Sequence, residues 1–136
     1  INKTITLMID IFSRYRFIFY FFNFVMIFLY LFPGSILGFF LYGDLKKQPQ
    51  ITPDFLISTN HLYAFLILSV IGFFTFNKKE QFKIISIYLI LLSIILEFLH
   101  FLIPERSFQF SDLFGNLIGV IIVVILNFFF NKYERY

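Results

Sequence analysis

Four long apolar runs, each closed by a short polar stretch, dominate this chain of 136 residues. They extend from Phe17 to Tyr42, from Phe55 to Phe76, from Ile84 to Ile103 and from Leu113 to Phe130. At about 1.5 Å of helical rise per residue, the third run covers roughly 30 Å, the thickness of a bilayer's hydrocarbon core. A segment in hydrocarbon must satisfy every backbone polar group internally, and an isolated run can do so only as a helix. Composition agrees. The chain is 60% hydrophobic and 14% charged, whereas a soluble domain of this size has too little interior to hide so much apolar surface. The sequence predicts an all-α fold: a polytopic transmembrane bundle of about four helices, forming one domain over residues 1–136.

The first run is the irregular one. Phe17 to Phe32 gives only about 24 Å of helix, so the span is expected to be completed after Pro33-Gly34 by Ile36 to Tyr42, with a kink or break at the proline. A re-entrant piece after Gly34 is the alternative. Ahead of it, Ile5, Met8, Ile9 and Phe12 fall at helical spacing among Lys3, Asp10, Arg14 and Arg16. That pattern predicts a short helix lying in the membrane interface. The chain opens on Ile1 rather than Met, which leaves its true N-terminus open. Its first apolar run is too long for a signal peptide, and no small-residue cleavage site follows it.

With four spans, Lys3, Arg14, Arg16, Lys78, Lys79, Lys83, Lys132 and Arg135 share one side, against Lys46, Lys47 and Arg106 on the other. The positive-inside rule then predicts N-in and C-in. There is no Trp, so the interfacial aromatic belt falls to Tyr15, Tyr42, Tyr88, Tyr133 and Tyr136. The absence of cysteine excludes disulfides, thiolate metal sites and cysteine nucleophiles. No basic cluster alternates with polar residues, so no nucleic-acid partner is expected.

Ionisable residues are costly within a membrane and mark sites by default. Glu97 and His100 are one helical turn apart near the end of the third run. Pro104, Glu105 and Arg106 close that helix. Ser111 is placed to cap the fourth, with Asp112 in its first turn, where the dipole favours an anion, and Asn116 one turn deeper. Gly115 and Gly119 form a GxxxG step suited to close helix packing. His61 begins the second run at the same outer end. The candidate site is therefore His61, Glu97, His100, Arg106, Asp112 and Asn116.

Two readings of this cluster stand side by side. In one, Glu97, Arg106 and Asp112 tie the last two helices together across a tight hairpin. In the other, the cluster binds a ligand or performs chemistry. Glu97 and His100 have the Glu-x-x-His spacing of di-iron bundles, but such sites need two of these motifs and only one is present. A single zinc or iron on His61, Glu97, His100 and Asp112 is the weaker reading, and no metal or cofactor is expected. Ser107 and Ser111 lie near the histidines in sequence without a Gly-x-Ser-x-Gly elbow, which disfavours a serine hydrolase.

The stretch EFLHFLIPERSFQFSDLFGNLIG resembles the signature of the VanZ-like family, with Glu97, Pro104, Arg106, Asp112, Asn116 and Gly119 in register. STNHLYAFLIL is similar to that family's earlier motif, with His61 at its histidine and Phe65 at the aromatic position. Thr59 and Asn60 stand where an acidic-basic pair is usual, and His100 replaces the common Gln. The resemblance implies a multi-pass protein of the bacterial inner membrane with four or five spans. The family takes its name from a member linked to teicoplanin resistance, and that name supplies no reaction.

The leading expectation is an outward-facing polar pocket for an amphiphilic ligand, such as a membrane lipid or a lipid-linked cell-envelope intermediate. Arg106 would clamp its anion, Asp112 and Asn116 would orient Arg106, and Glu97 with His100 would share a proton. One alternative is an accessory subunit of a larger membrane complex. Another is an intramembrane hydrolase or transferase using Glu97, His100 and Asp112. Four short helices leave little room for transport by alternating access.

Overall fold

The computed structural model describes residues 3–133, which form helices joined by turns and irregular segments, with no strand among them. The helices are α1 (Lys3–Arg14), α2 (Phe17–Leu31), α3 (Ile36–Tyr42), α4 (Thr59–Thr75), α5 (Lys79–Leu99) and α6 (Phe110–Tyr133). Arg135 and Tyr136 lie outside the described residues, as do the side chains of Lys132 and Tyr133.

The first apolar run is broken at Pro33-Gly34, where a kink or break was expected. α2 stops before Pro33, because proline restricts the residue ahead of it to extended backbone, and Phe32 is extended at ψ 132°. Gly34 then takes a left-handed φ of 79°, and the Ser35 side chain caps α3 by accepting from Gly38 N at 3.0 Å. α3 is only 7 residues long. The stretch after it folds back: Ser35 N donates to Leu45 O at 2.7 Å. A Cβ added to Gly38 would land on the Lys47 carbonyl. A further bend, of 74°, separates α1 from α2.

The other boundaries shift for local reasons. α4 begins at Thr59 rather than at the apolar Phe55, because residues 49–54 are stapled to its first turns. Asp54 Oδ1 accepts from Thr59 N at 2.8 Å, Asn60 Nδ2 donates to Pro49 O at 2.6 Å, and Thr59 Oγ1 donates to Thr52 O at 2.7 Å. α5 runs back to Lys79, so the basic stretch expected as a hairpin loop is mostly its first turns. α5 ends at Leu99 with His100 as its C-cap, and residues 100–103 form turns rather than the end of a span. α6 begins one residue before Ser111. Ser111 is therefore inside the first turn and is not the N-cap, and the Gln109 carbonyl accepts from Asp112 N at 3.2 Å.

The backbone N–H of Thr59, followed by Gln50 and the Thr59 hydroxyl, holds the Asp54 carboxyl below its ordinary value of 3.8. A carboxylate with a lowered folded pKa stabilises above its unfolded pKa and loses that contribution as pH falls through the folded one. Asp54→Asn is therefore expected to melt a few degrees lower than wild type at pH 7. The difference should close as pH drops through and below 3.8, as read by circular dichroism melts in detergent. An equal difference at pH 2 would show that charge is not what holds this cap.

The core lies where α4, α5 and α6 meet. Phe65, Leu68, Leu89, Leu96 and Val120 are buried there. Gly115 and Gly119 sit against the α4 backbone, and a Cβ at Gly119 would come within 2.6 Å of Leu62 O and 2.8 Å of Leu66 N. The GxxxG step thus brings the two backbones together, as small residues do between helices in membranes. Nearer the other end, Tyr88 OH donates to Asn23 Oδ1 at 3.0 Å, linking α5 to α2. α1 leans on α4 through stacked Phe12 and Phe74, 6.0 Å between ring centres.

The polarity of the molecule is inverted. Phe17, Phe24, Phe40, Phe98 and Phe128 are exposed, whereas Ser93, Glu97, His100 and Asn116 are buried. An apolar exterior of this extent is stable against lipid and costly against water. α5 and the stretch Phe110–Phe130 of α6 are each long and apolar enough to cross a membrane. The bent α1–α2 pair is a third candidate, and α4, at 17 residues, is apolar but shorter.

Candidate functional site

The end of α2, the start of α4, the end of α5 and the start of α6 meet at one end of the bundle, and each contributes polar side chains there. α5 contributes Glu97, which is fully buried, and its cap His100. Glu97 Oε1 accepts from Gln109 N at 2.9 Å and lies 3.3 Å from His100 Nδ1. His100 Nε2 is 3.0 Å from the carbonyl of Tyr30 and therefore donates to it. In the neutral ring the proton then sits on Nε2, and Nδ1 meets Glu97 as an acceptor.

α6 contributes Asn116, whose two ends have separate duties. Its Nδ2 donates to Ser93 O at 3.4 Å, which leaves Oδ1 to accept from Tyr30 OH at 2.7 Å and from His61 Nδ1 at 3.1 Å. His61, on α4, has Nδ1 also 4.0 Å from Glu97 Oε2 and Nε2 3.5 Å from Asp112 Oδ2. Among the described residues, the buried Glu97 Oε2 has no hydrogen-bond partner. The rings of Tyr30 and His61 meet edge to face, 4.9 Å between centres.

Five of the six predicted residues, His61, Glu97, His100, Asp112 and Asn116, converge on this network. Arg106 joins the same end of the bundle in another way. Its Nε donates to Phe32 O at 3.1 Å and one terminal nitrogen to Leu29 O at 2.9 Å. These are C-terminal carbonyls of α2, which a cation satisfies and whose dipole it favours. Among the described residues, the ion pairs of Glu97 and Asp112 are with histidine and none is with Arg106. The expected Glu–Arg–Asp tie across the hairpin is thus a tie from the hairpin to α2, and Asp112 and Asn116 engage His61 rather than orienting Arg106.

Beside this network lies a pocket of about 320 Å³, between α3, the loop after it and α4. Arg106, Tyr30, His61, Asn60 and Gln50 give it polar groups, and Ile36, Leu37 and Ile67 give it apolar wall. Tyr30 is the residue that sequence reasoning passed over. It sits in an unbroken apolar run, and only the positions of Asn116 and His100 in space reveal the task of its hydroxyl and carbonyl. Ser93 and Gln109 were missed for the same reason, since both act through backbone groups that any residue carries.

No family model matches the chain, and no curated protein or solved structure matches it either. The resemblance to the VanZ-like family rests on the residues that carry it.

Proposed function

We propose that this chain is a VanZ-like, four-span protein of the bacterial inner membrane, N-in and C-in, whose outer end binds the anionic head of an amphiphile. The observation that carries this reading is the pocket's mixed lining. Arg106, Asn60 and Gln50 offer donors to a phosphate or carboxylate, while Leu37 and Ile67, both exposed, offer an acyl chain a path along the apolar exterior. The buried network behind it fixes Tyr30 and His61 in the pocket wall. In this orientation α2 and α3 together serve as one broken span, and α4 as a short one.

Native mass spectrometry of protein extracted in mild detergent tests this. Wild type is expected to carry a bound anionic lipid or lipid-linked intermediate, and Arg106→Ala to lose it by a factor of about ten or more. Because Arg106 also satisfies α2 carbonyls, Arg106→Lys serves as the folding control. It keeps the charge and loses the guanidinium fork. A bound lipid equally abundant in wild type and in a folded Arg106→Ala protein sinks the clamp. Stoichiometric protein partners without a lipid favour the accessory-subunit reading.

A further inference from the structure

We propose that His61, Glu97 and Asp112 form a binding site for a divalent transition-metal cation of the zinc class. One donor atom from each residue lies within 4.8 Å of the other two. The residues come from three helices, α4, α5 and α6, so the site assembles only in the folded bundle.

The hydrogen bonds around His61 set its tautomer. Asn116 Nδ2 is committed to Ser93 O, so Asn116 Oδ1 is an acceptor, and His61 Nδ1, 3.1 Å away, must carry the proton. The neutral ring then points the bare lone pair of Nε2 at Asp112 Oδ2, 3.5 Å away. Two acceptors face each other there. A metal ion between them turns that repulsion into two bonds, and Nδ1–H bonded to an oxygen is the usual outer support of a ligating imidazole. Tyr30, donating to the same Asn116 oxygen at 2.7 Å, holds that support in place.

Glu97 supplies the independent sign of a ligand. Its Oε1 is occupied by Gln109 N, while Oε2, completely buried and 4.0 Å from His61 Nδ1, has no hydrogen-bond partner among the described residues. An orphaned carboxylate oxygen in such a place is costly. Zinc bonds of about 2.0–2.2 Å put neighbouring donors roughly 3.3 Å apart, so donors that lie within 4.8 Å of one another must draw in, and Oε2 can do so without giving up a hydrogen bond. Charge closes as well, since two carboxylates and a neutral imidazole balance a dication. Three protein ligands leave a fourth position for water or for a ligand group. His100 stays outside the set, since its Nδ1 faces the other oxygen of Glu97, Oε1, at 3.3 Å.

The full-length protein in detergent micelles is titrated with Co2+, followed by visible absorption, and the cobalt is then displaced with Zn2+. Wild type is expected to take up one equivalent with tetrahedral-type bands. Asp112→Asn, Glu97→Gln and His61→Gln should each bind on the order of 100-fold more weakly, and Asp54→Asn, on the exposed loop, should bind as wild type does. Asp112 is less deeply buried than His61 or Glu97, so its isosteric change carries the test if the deeper variants fail to fold. A folded wild type that takes up no stoichiometric metal overturns the proposal. So does an Asp112→Asn protein that binds as tightly as wild type, since the metal is then adventitious. The proposal does not rest on the lipid pocket: metal uptake without a bound lipid sinks only the pocket, and a bound lipid without metal uptake sinks only this site.

Discussion

Gly119→Leu is expected to cost the protein its fold, with a loss of about 3 kcal/mol or more. Even the first carbon of a side chain at this position meets main chain, at 2.6 Å from Leu62 O and 2.8 Å from Leu66 N. Backbone atoms inside a helix cannot rotate away as a side chain can, so α4 and α6 must separate. That separation uncovers Phe65 and Val120, both fully buried. It also moves His61 and Asn116 apart and so dismantles the polar network. Gly72→Ala is the informative comparison. Its added carbon meets the side chains of Phe19 at 3.0 Å and Ile85 at 3.3 Å, which can shift, and a loss of about 1 kcal/mol is expected. Unfolding in micelles, titrated with SDS and read by circular dichroism, measures both. A Gly119→Leu protein as stable as wild type would show that α4 and α6 do not pack at this seam.

What the sequence disclosed followed the reach of its signals. Apolar runs revealed the long helices because period and length are local properties. The polar cluster was legible because Glu97, His100, Asp112 and Asn116 stand against an apolar background, where each carries a cost that only a partner offsets. Gly115 and Gly119 were legible through their spacing alone. The rest is a matter of pairing across space. Nothing near Arg106 in sequence says that its guanidinium will reach the carbonyls of Leu29 and Phe32. Nothing in the apolar run of α2 distinguishes Tyr30 from the phenylalanines around it. The polar loop after α3 read as a connector because its hydrogen bonds to α4 run through Thr59 and Asn60, residues equally at home at a helix start. The division of the first span was half legible: proline announced a break, but which pieces align depends on the fold of residues 43–50 against Gly34 and Gly38.

Asn116→Ala is expected to destabilise the protein by about 3 kcal/mol, more than its size suggests. One truncation strands two groups at once, the Tyr30 hydroxyl and His61 Nδ1. Each buried group left unsatisfied costs roughly 1–3 kcal/mol. Tyr30→Phe alone should cost about 1–2 kcal/mol, because Asn116 Oδ1 keeps His61 as a donor. In an Asn116→Ala background the same change should cost close to nothing, or even stabilise, since the hydroxyl it removes is then an orphan. The double-mutant cycle is thus expected to show a coupling of about 1 kcal/mol or more between residues 86 positions apart. Unfolding midpoints of the four proteins in one detergent give the coupling directly, and strictly additive losses would show that Tyr30 and Asn116 do not share a bond. A coupled result bears on function as well as stability. The bond that holds Asn116 Oδ1 toward His61 also fixes which imidazole nitrogen faces Asp112. The hydroxyl of an unremarked tyrosine on α2 then sets the chemistry available at the junction of α4, α5 and α6.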